Sequence, residues 1–245
     1  LFLVEKNANV LIHEEVLNFG KENSVFNMVS EVICLENSSL EYFSTQNDSS
    51  KSNLINSIFC TQQKNSKSNF NIFSNDGKLI RNNIQVDLLG ENSSSNVRGT
   101  SLSKSSQHLD NFITISHMVE NCKSSQLFKS VYDDNSSGAF CGKIFVEKGA
   151  QQTEAYQQNN NLMISKNSSV NAKPQLEIFA DDVVCSHGCT IGAIDDDILF
   201  YLQSRGIKKE EAIKVLIAAF LNDQISNIRN DEIKAEISNL FLKNQ

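Results

Sequence analysis

The sequence predicts a mainly-β chain of short stacked strands that ends in a small helical segment. Three observations carry this. Short apolar runs separated by polar, turn-like clusters fill residues 1 to about 180. A loose echo recurs where those runs end: Glu5-Lys-Asn-Ala-Asn-Val10, Glu36-Asn-Ser-Ser-Leu40, Glu91-Asn-Ser-Ser-Ser95 and Lys166-Asn-Ser-Ser-Val170. A solenoid, whose every coil turns sharply and restarts its strand, reads this way. A sandwich or barrel gives similar strands, so the echo alone leaves those open. After Gly192 the apolar spacing changes to the three-and-four period of helices.

The strand candidates, in order, are Phe2–Val4, Val10–Ile12, Val25–Leu35, Leu40–Phe43, Leu54–Cys60, Phe70–Phe73, Ile84–Leu89, Phe112–Ile115, Phe140–Val146 and Leu176–Phe179. Asparagine and serine crowd Lys64–Asn69 and Glu91–Asn96. A prion-like or linker segment would look similar; polar turns of interchangeable residues are the simpler reading. Beyond residue 192, Asp195 is placed to cap a helix with an acidic first turn, which Gly206 ends. Ile198, Tyr201 and Leu202 fall on one face of it. Over Lys208–Leu221, the residues Ala212, Val215, Leu216, Ala219 and Phe220 form a single stripe. A last helix opens at Asn230-Asp231 with Ile233, Ile237, Leu240 and Phe241 on one side. The expected division is a β core over residues 1–192 and a helical domain over 193–245. The stripes suit capping of the solenoid, binding of a partner, or both.

A net charge of -7 argues against a nucleic-acid binder with a basic surface, and no run of apolar residues is long enough to span a membrane. Leu1-Phe-Leu-Val-Glu-Lys6 has neither an initiator methionine nor the make-up of a signal peptide, and reads as the start of a fragment. Six scattered cysteines are too few for a disulfide scaffold and point to reduced thiols in a cytosol-like compartment. Gly-x-x-x-x-Gly-Lys-Ser/Thr and Gly-x-Ser-x-Gly are both missing from the sequence, so neither a P-loop ATP site nor a hydrolase elbow is expected. His108 with Asp110, and His117 with Glu120, resemble acid–base pairs of a kind that arises often by chance. The adjacent carboxylates Asp133-Asp134 and Asp181-Asp182 are what a carbohydrate-active β-helix enzyme would use.

The stretch from Lys173 to Thr190 concentrates the most chemistry. Leu176, Ile178 and Ala180 alternate with Gln175, Glu177 and Phe179, which suits a strand with at least one buried face, and Cys185-Ser-His187-Gly-Cys189 follows. In an extended chain Cys185, His187 and Cys189 share a face. Sulfur and imidazole together suit zinc, copper(I) or iron–sulfur species. The spacing is not that of a closed zinc site, which needs a fourth ligand, so a site shared with another chain fits better. Buried packing is the plain alternative, and the one that suits Cys34, Cys60, Cys122 and Cys141.

Lys173–Gly192, followed by Asp195–Ile207, resembles the signature of the SufB/SufD family of iron–sulfur cluster assembly proteins, closest to its SufD branch. Similar blocks lie at Gln107–Asn111, His117, Asn121-Cys122, Leu127–Ser130, Gly138–Val146 and Ala150–Asn159. The resemblance is nearly continuous from Val86 to Ile207. It implies a right-handed parallel β-helix and a non-catalytic scaffold role, pairing with a SufB-like subunit and docking a SufC-like ATPase. It further implies a cytoplasmic or organelle stroma/matrix location and a transient iron–sulfur cluster at the subunit interface. His187, and less directly Cys185, would serve that cluster as metal ligands. Cys189 stands where the family usually has alanine. The Ala212–Phe220 stripe would lie in the region that meets the ATPase, with the solenoid expected to stay soluble without residues 195–245. A carbohydrate-active β-helix enzyme and a purely structural solenoid are the alternatives.

Overall fold

The computed structural model describes residues 1–16, 23–47 and 51–243. In chain order its strands are β1 (Phe2–Val4), β2 (Asn9–Val16), β3 (Ser24–Cys34), β4 (Ser39–Asn47), β5 (Ser52–Gln62), β6 (Lys67–Asp76) and β7 (Leu79–Leu88). They continue as β8 (Ser94–Ser103), β9 (His108–His117), β10 (Lys123–Tyr132), β11 (Ser137–Val146), β12 (Thr153–Met163), β13 (Ser169–Ile178) and β14 (Val183–Ala193). Odd strands form one seven-stranded sheet and even strands another, and every pairing is parallel. The chain thus winds as a β-solenoid of about six turns.

Stacking explains why these runs become strands. Val32, Cys60, Val86, Ile115, Ile144 and Leu176 stand in register up one sheet. The first five are buried by the coils on either side, whereas Leu176, in the last coil, is half-buried. Burying each such side chain contributes about 1.5–3 kcal/mol. Interior space is matched to these residues: a side chain at Gly99 would collide with the Phe128 ring.

The corners carry a second repeat. Asn7, Asn37, Asn65, Asn92 and Asn121 all adopt φ of 58–61°, the left-handed region that asparagine tolerates better than most residues. In each of the first four turns the next residue's N–H closes the turn, as Ser38 does onto the Leu35 carbonyl at 3.1 Å. The asparagine side chains also bond coil to coil, Asn65 Nδ2 donating to Asn37 Oδ1 at 2.9 Å and Asn37 Nδ2 to Asn7 Oδ1 at 3.2 Å. These polar residues are therefore turns, but not of interchangeable residues. One position needs φ > 0, and the next needs a small buried side chain (Ser38, Ser66, Ser93, Cys122). The Lys166 copy of the echo belongs to the opposite corner, between β12 and β13.

Three helices follow, α1 (Asp196–Ser204), α2 (Lys209–Ser226) and α3 (Asp231–Ser238), the last running into a π-helical turn over Asn239–Lys243. Asp195 caps α1 by accepting from the N–H groups of Asp197 and Ile198, and Asn230 caps α3 through the N–H of Ile233. Gly206, at φ 89°, follows the end of α1. The helices lie on the flank of the even-numbered sheet rather than over an end. Ile217, Leu221, Ile225, Ile233, Ile237 and Phe241 share one core with Phe43, Phe73, Leu102 and Val131. Lys129 Nζ on β10 fastens α2, donating to the Phe220 carbonyl at 2.9 Å and to Asp223 Oδ1 at 2.8 Å. Phe241, fully buried and 6.0 Å from the Phe73 ring, closes this core. Phe241→Ala is expected to destabilise the chain by about 3–5 kcal/mol. Urea unfolding followed by circular dichroism checks it, and a loss under 1 kcal/mol, the scale of a surface substitution, would show that the helices are not held by this core.

Two features of the sequence reading change. The strands β8, β10 and β12 escape a search for apolar runs because their inner faces carry Ser95, Ser124, Gln126, Gln157, Asn159 and Asn161. On α2 the Ala212–Phe220 stripe is not the fully buried side: Ala212 is buried and Phe220 half-buried, but Val215 and Ala219 are exposed. The other buried residues of α2, Ile217, Leu221, Gln224 and Ile225, lie on the side of the helix roughly opposite Ala212, Val215 and Ala219.

Candidate functional site

The candidate site lies at the end of the solenoid formed by the last coil. The strand ending at Ile178 and the strand carrying the Cys-x-His-x-Cys cluster belong to different sheets. Asp181 and Asp182 sit in the turn between them, their side chains accepting from Gln151 Nε2 and Gln152 Nε2, each at 2.9 Å. Among the described residues β13 pairs only with β11 and β14 only with β12, so each leaves one row of backbone groups without a neighbouring strand there. Pro174, which has no N–H, is tolerated on β13 because that strand is an edge. Ile178, Phe179, Val184 and Ile191 are exposed on this coil.

Register fixes the direction of the cluster. Cys185, His187 and Cys189 pair with Ala155, Gln157 and Asn159, all buried residues of the solenoid interior. The three residues therefore face the solenoid axis together, but with no coil above them: His187 and Cys189 are exposed and Cys185 is half-buried. Cys185 leans on the small core of Ile144, Val146, Ala150 and Ala155. Burial pushes its thiol upward, a backbone hydrogen bond at Ala155 opposing that. Burial also raises the Cys189 thiol, which donates to Asn159 Oδ1 at 3.7 Å. Both thiols thus start protonated at neutral pH, and a metal that bound them would displace those protons.

Beneath the cluster runs a buried polar file that the apolar pattern of the sequence conceals. Gln157 Nε2 donates to Gln126 Oε1 at 3.1 Å, and Gln126 Nε2 to the Lys143 carbonyl at 3.2 Å. The Gln157 Oε1 atom is buried without a partner, directly in register with His187. A side chain at Gly142 would collide with Gln157 and Phe140, so the glycine keeps space for this file.

The other chemistry-bearing residues serve the fold. His108 Nδ1 meets Ser137 Oγ at 2.8 Å, while Asp110 pairs with Arg81 at 2.8 Å. His117 is buried, with Nε2 on Ser124 Oγ at 2.8 Å, and desolvation lowers its pKa to about 4. Glu120 is exposed. Asp134 accepts from the Ser105 N–H and Asp133 from the Asp134 N–H, each at 2.8 Å, so this carboxylate pair closes a turn. On the helices, Ile198, Phe200, Tyr201 and Val215 are each exposed. No helix among the described residues is long and apolar enough to cross a membrane.

Residues 1–220 match the family described as "SUF system FeS cluster assembly, SufBD core domain". The iron–sulfur cluster assembly protein SufD of Escherichia coli K12 is 37% identical over 161 residues, 66% of this chain and 38% of that protein. Protein ABCI7, chloroplastic, of Arabidopsis thaliana is 35% identical over 241 residues, covering 97% of this chain and 50% of its own length. SufD of Bacillus subtilis is 30% identical over 241 residues, 97% of this chain and 55% of that protein. The chain thus spans about half the length, or less, of these relatives.

Proposed function

Because the chain belongs to the SufBD core family of SUF-system iron–sulfur cluster assembly proteins, we propose that it is a SufD-like scaffold subunit without catalytic chemistry of its own. It pairs with a SufB-like subunit, docks a SufC-like ATPase, and works in a thiol-reducing compartment, cytoplasm or organelle stroma. The observation that carries this is the open end, where Cys185, His187 and Cys189 face the axis between two unpaired strand edges.

An edge strand is a template for pairing, and natural proteins otherwise blunt or cover it. A partner coil laid against β13 and β14 would continue both sheets across the interface. It would also complete the ligand set that three residues of one chain leave short. The nascent cluster is cargo in this arrangement, held between two chains and released when they separate. Movement of the ATPase, transmitted through the flank helices, is the device that would open the interface.

Charges placed at this edge test the pairing. Ile178→Lys with Ile191→Lys puts two cations on exposed positions of the last coil. The double variant is expected to fold normally and to bind the SufB-like subunit about tenfold or more weakly. Unchanged affinity, with unchanged circular dichroism, would place the pairing surface elsewhere.

A further inference from the structure

A separate cluster of donor groups joins the first coil to the last helix. His13 and Glu15 on β2 project outward from the even-numbered sheet, and α3 brings Glu236 against them. His13 Nδ1 lies 3.6 Å from Glu15 Oε1, and His13 Nε2 lies 3.9 Å from Glu236 Oε2. Nε2 is also 3.0 Å from Thr45 Oγ1, and the ring stands edge-on to Phe43 at 6.4 Å, so the imidazole is held while both carboxylates keep freedom. One donor atom from each residue falls within 4.8 Å of the other two.

The electrostatics of this trio are incomplete as they stand. A neutral imidazole has one N–H and one lone pair. With the proton on Nδ1, the Nε2 lone pair takes the Thr45 hydroxyl, and the Glu236 carboxylate at 3.9 Å is left beyond hydrogen-bond range of the ring. Burial, and then the charge of Glu15, push the Glu236 carboxyl upward, with His13 opposing. Two carboxylates converging on one imidazole are an arrangement that a metal cation among the three donors would complete.

We propose that His13, Glu15 and Glu236 bind a divalent first-row transition ion that clasps α3 to the first coil. One imidazole nitrogen and two carboxylate oxygens are a donor set for zinc, manganese, iron(II) or cobalt(II), with water in the remaining positions. Bonds of about 2.0–2.2 Å need the donors to draw closer than they stand. The side chains of Glu15 and Glu236, 43% and 40% exposed, have room to do so. The site shares no residue with the open end. Its role is structural: it ties strand and helix together across the flank core and is independent of the scaffold reading.

The test uses the whole chain carrying Cys185→Ser, His187→Ala and Cys189→Ser, so that the open end cannot report. Titration with Co²⁺ is expected to give one equivalent bound, with a visible spectrum lacking thiolate charge-transfer bands. Zn²⁺ should raise the unfolding temperature of this parent. His13→Gln and Glu236→Gln should each weaken binding about 10–100-fold and abolish the Zn²⁺ shift. In chelator they should unfold at the temperature of the parent. Glu15→Gln, at the most exposed of the three ligands, gives the same reading if another variant folds poorly. No binding by the parent, or equal binding in His13→Gln, overturns the proposal.

Discussion

Replacing His187 with alanine is expected to leave the chain folded and its complex assembled, while reconstituted iron and sulfide fall about tenfold or more. The exposed ring makes this a clean experiment. His187 is covered by no coil, so its removal leaves no buried partner and creates no cavity of the kind that costs stability. The loss is confined to a ligand that a neutral imidazole supplies well. Cys185→Ala should have a smaller effect and Cys189→Ala the smallest. Cys185 rests partly on the core at Ile144 and Val146, so its variant also needs a stability measurement. Equal cluster content in wild type and His187→Ala, at matched complex yield, removes His187 from the site.

The second large effect is expected on the helical flank. Phe200→Asp with Tyr201→Asp should reduce co-purification of the SufC-like ATPase about thirtyfold or more, the scale of losing an interface hot spot. Both side chains are more than half exposed, and α1 has no buried residue, so folding should be spared. Removing residues 195–245, which the sequence suggests would leave the solenoid soluble, would not be a neutral change. It would uncover Phe43, Phe73, Leu102 and Val131, and the exposed face would invite aggregation. Undiminished ATPase binding in the double variant would move the docking surface off α1.

What the sequence made legible follows from where apolar contrast exists. Odd-numbered strands have one buried face rich in Ile, Val and Leu, and they were found. Even-numbered strands were often missed, because serine and amide side chains satisfy one another inside the solenoid, as Ser68 Oγ does with Ser95 Oγ at 2.9 Å. Where the helices cover them, at Phe43, Phe73, Leu102 and Val131, their outer faces are apolar as well. That erases the two-residue alternation just where it would have helped. The common face of Cys185, His187 and Cys189 was readable from strand periodicity alone. That the face opens on the end of the stack was not, since exposure depends on there being no next coil. Nor was the His13–Glu15–Glu236 trio readable, because nothing local relates a residue on β2 to one on α3.

The corner row of asparagines has a consequence for how such a chain can change length. Successive coils are joined by side-chain bonds between residues 27 to 31 positions apart. Inserting one residue within a strand would turn every following side chain to the opposite face of the sheet. It would also shift the next asparagine out of the left-handed corner. Single insertions therefore fit in the turns or as a bulge near a strand end, as where the β4/β6 register shifts between Gln46 and Asn47. Larger growth or shortening proceeds by whole coils. Relatives of different size should differ by multiples of one coil, each added coil bringing its own left-handed corner residue, as Gln152 (φ 56°) does after Asn121 here.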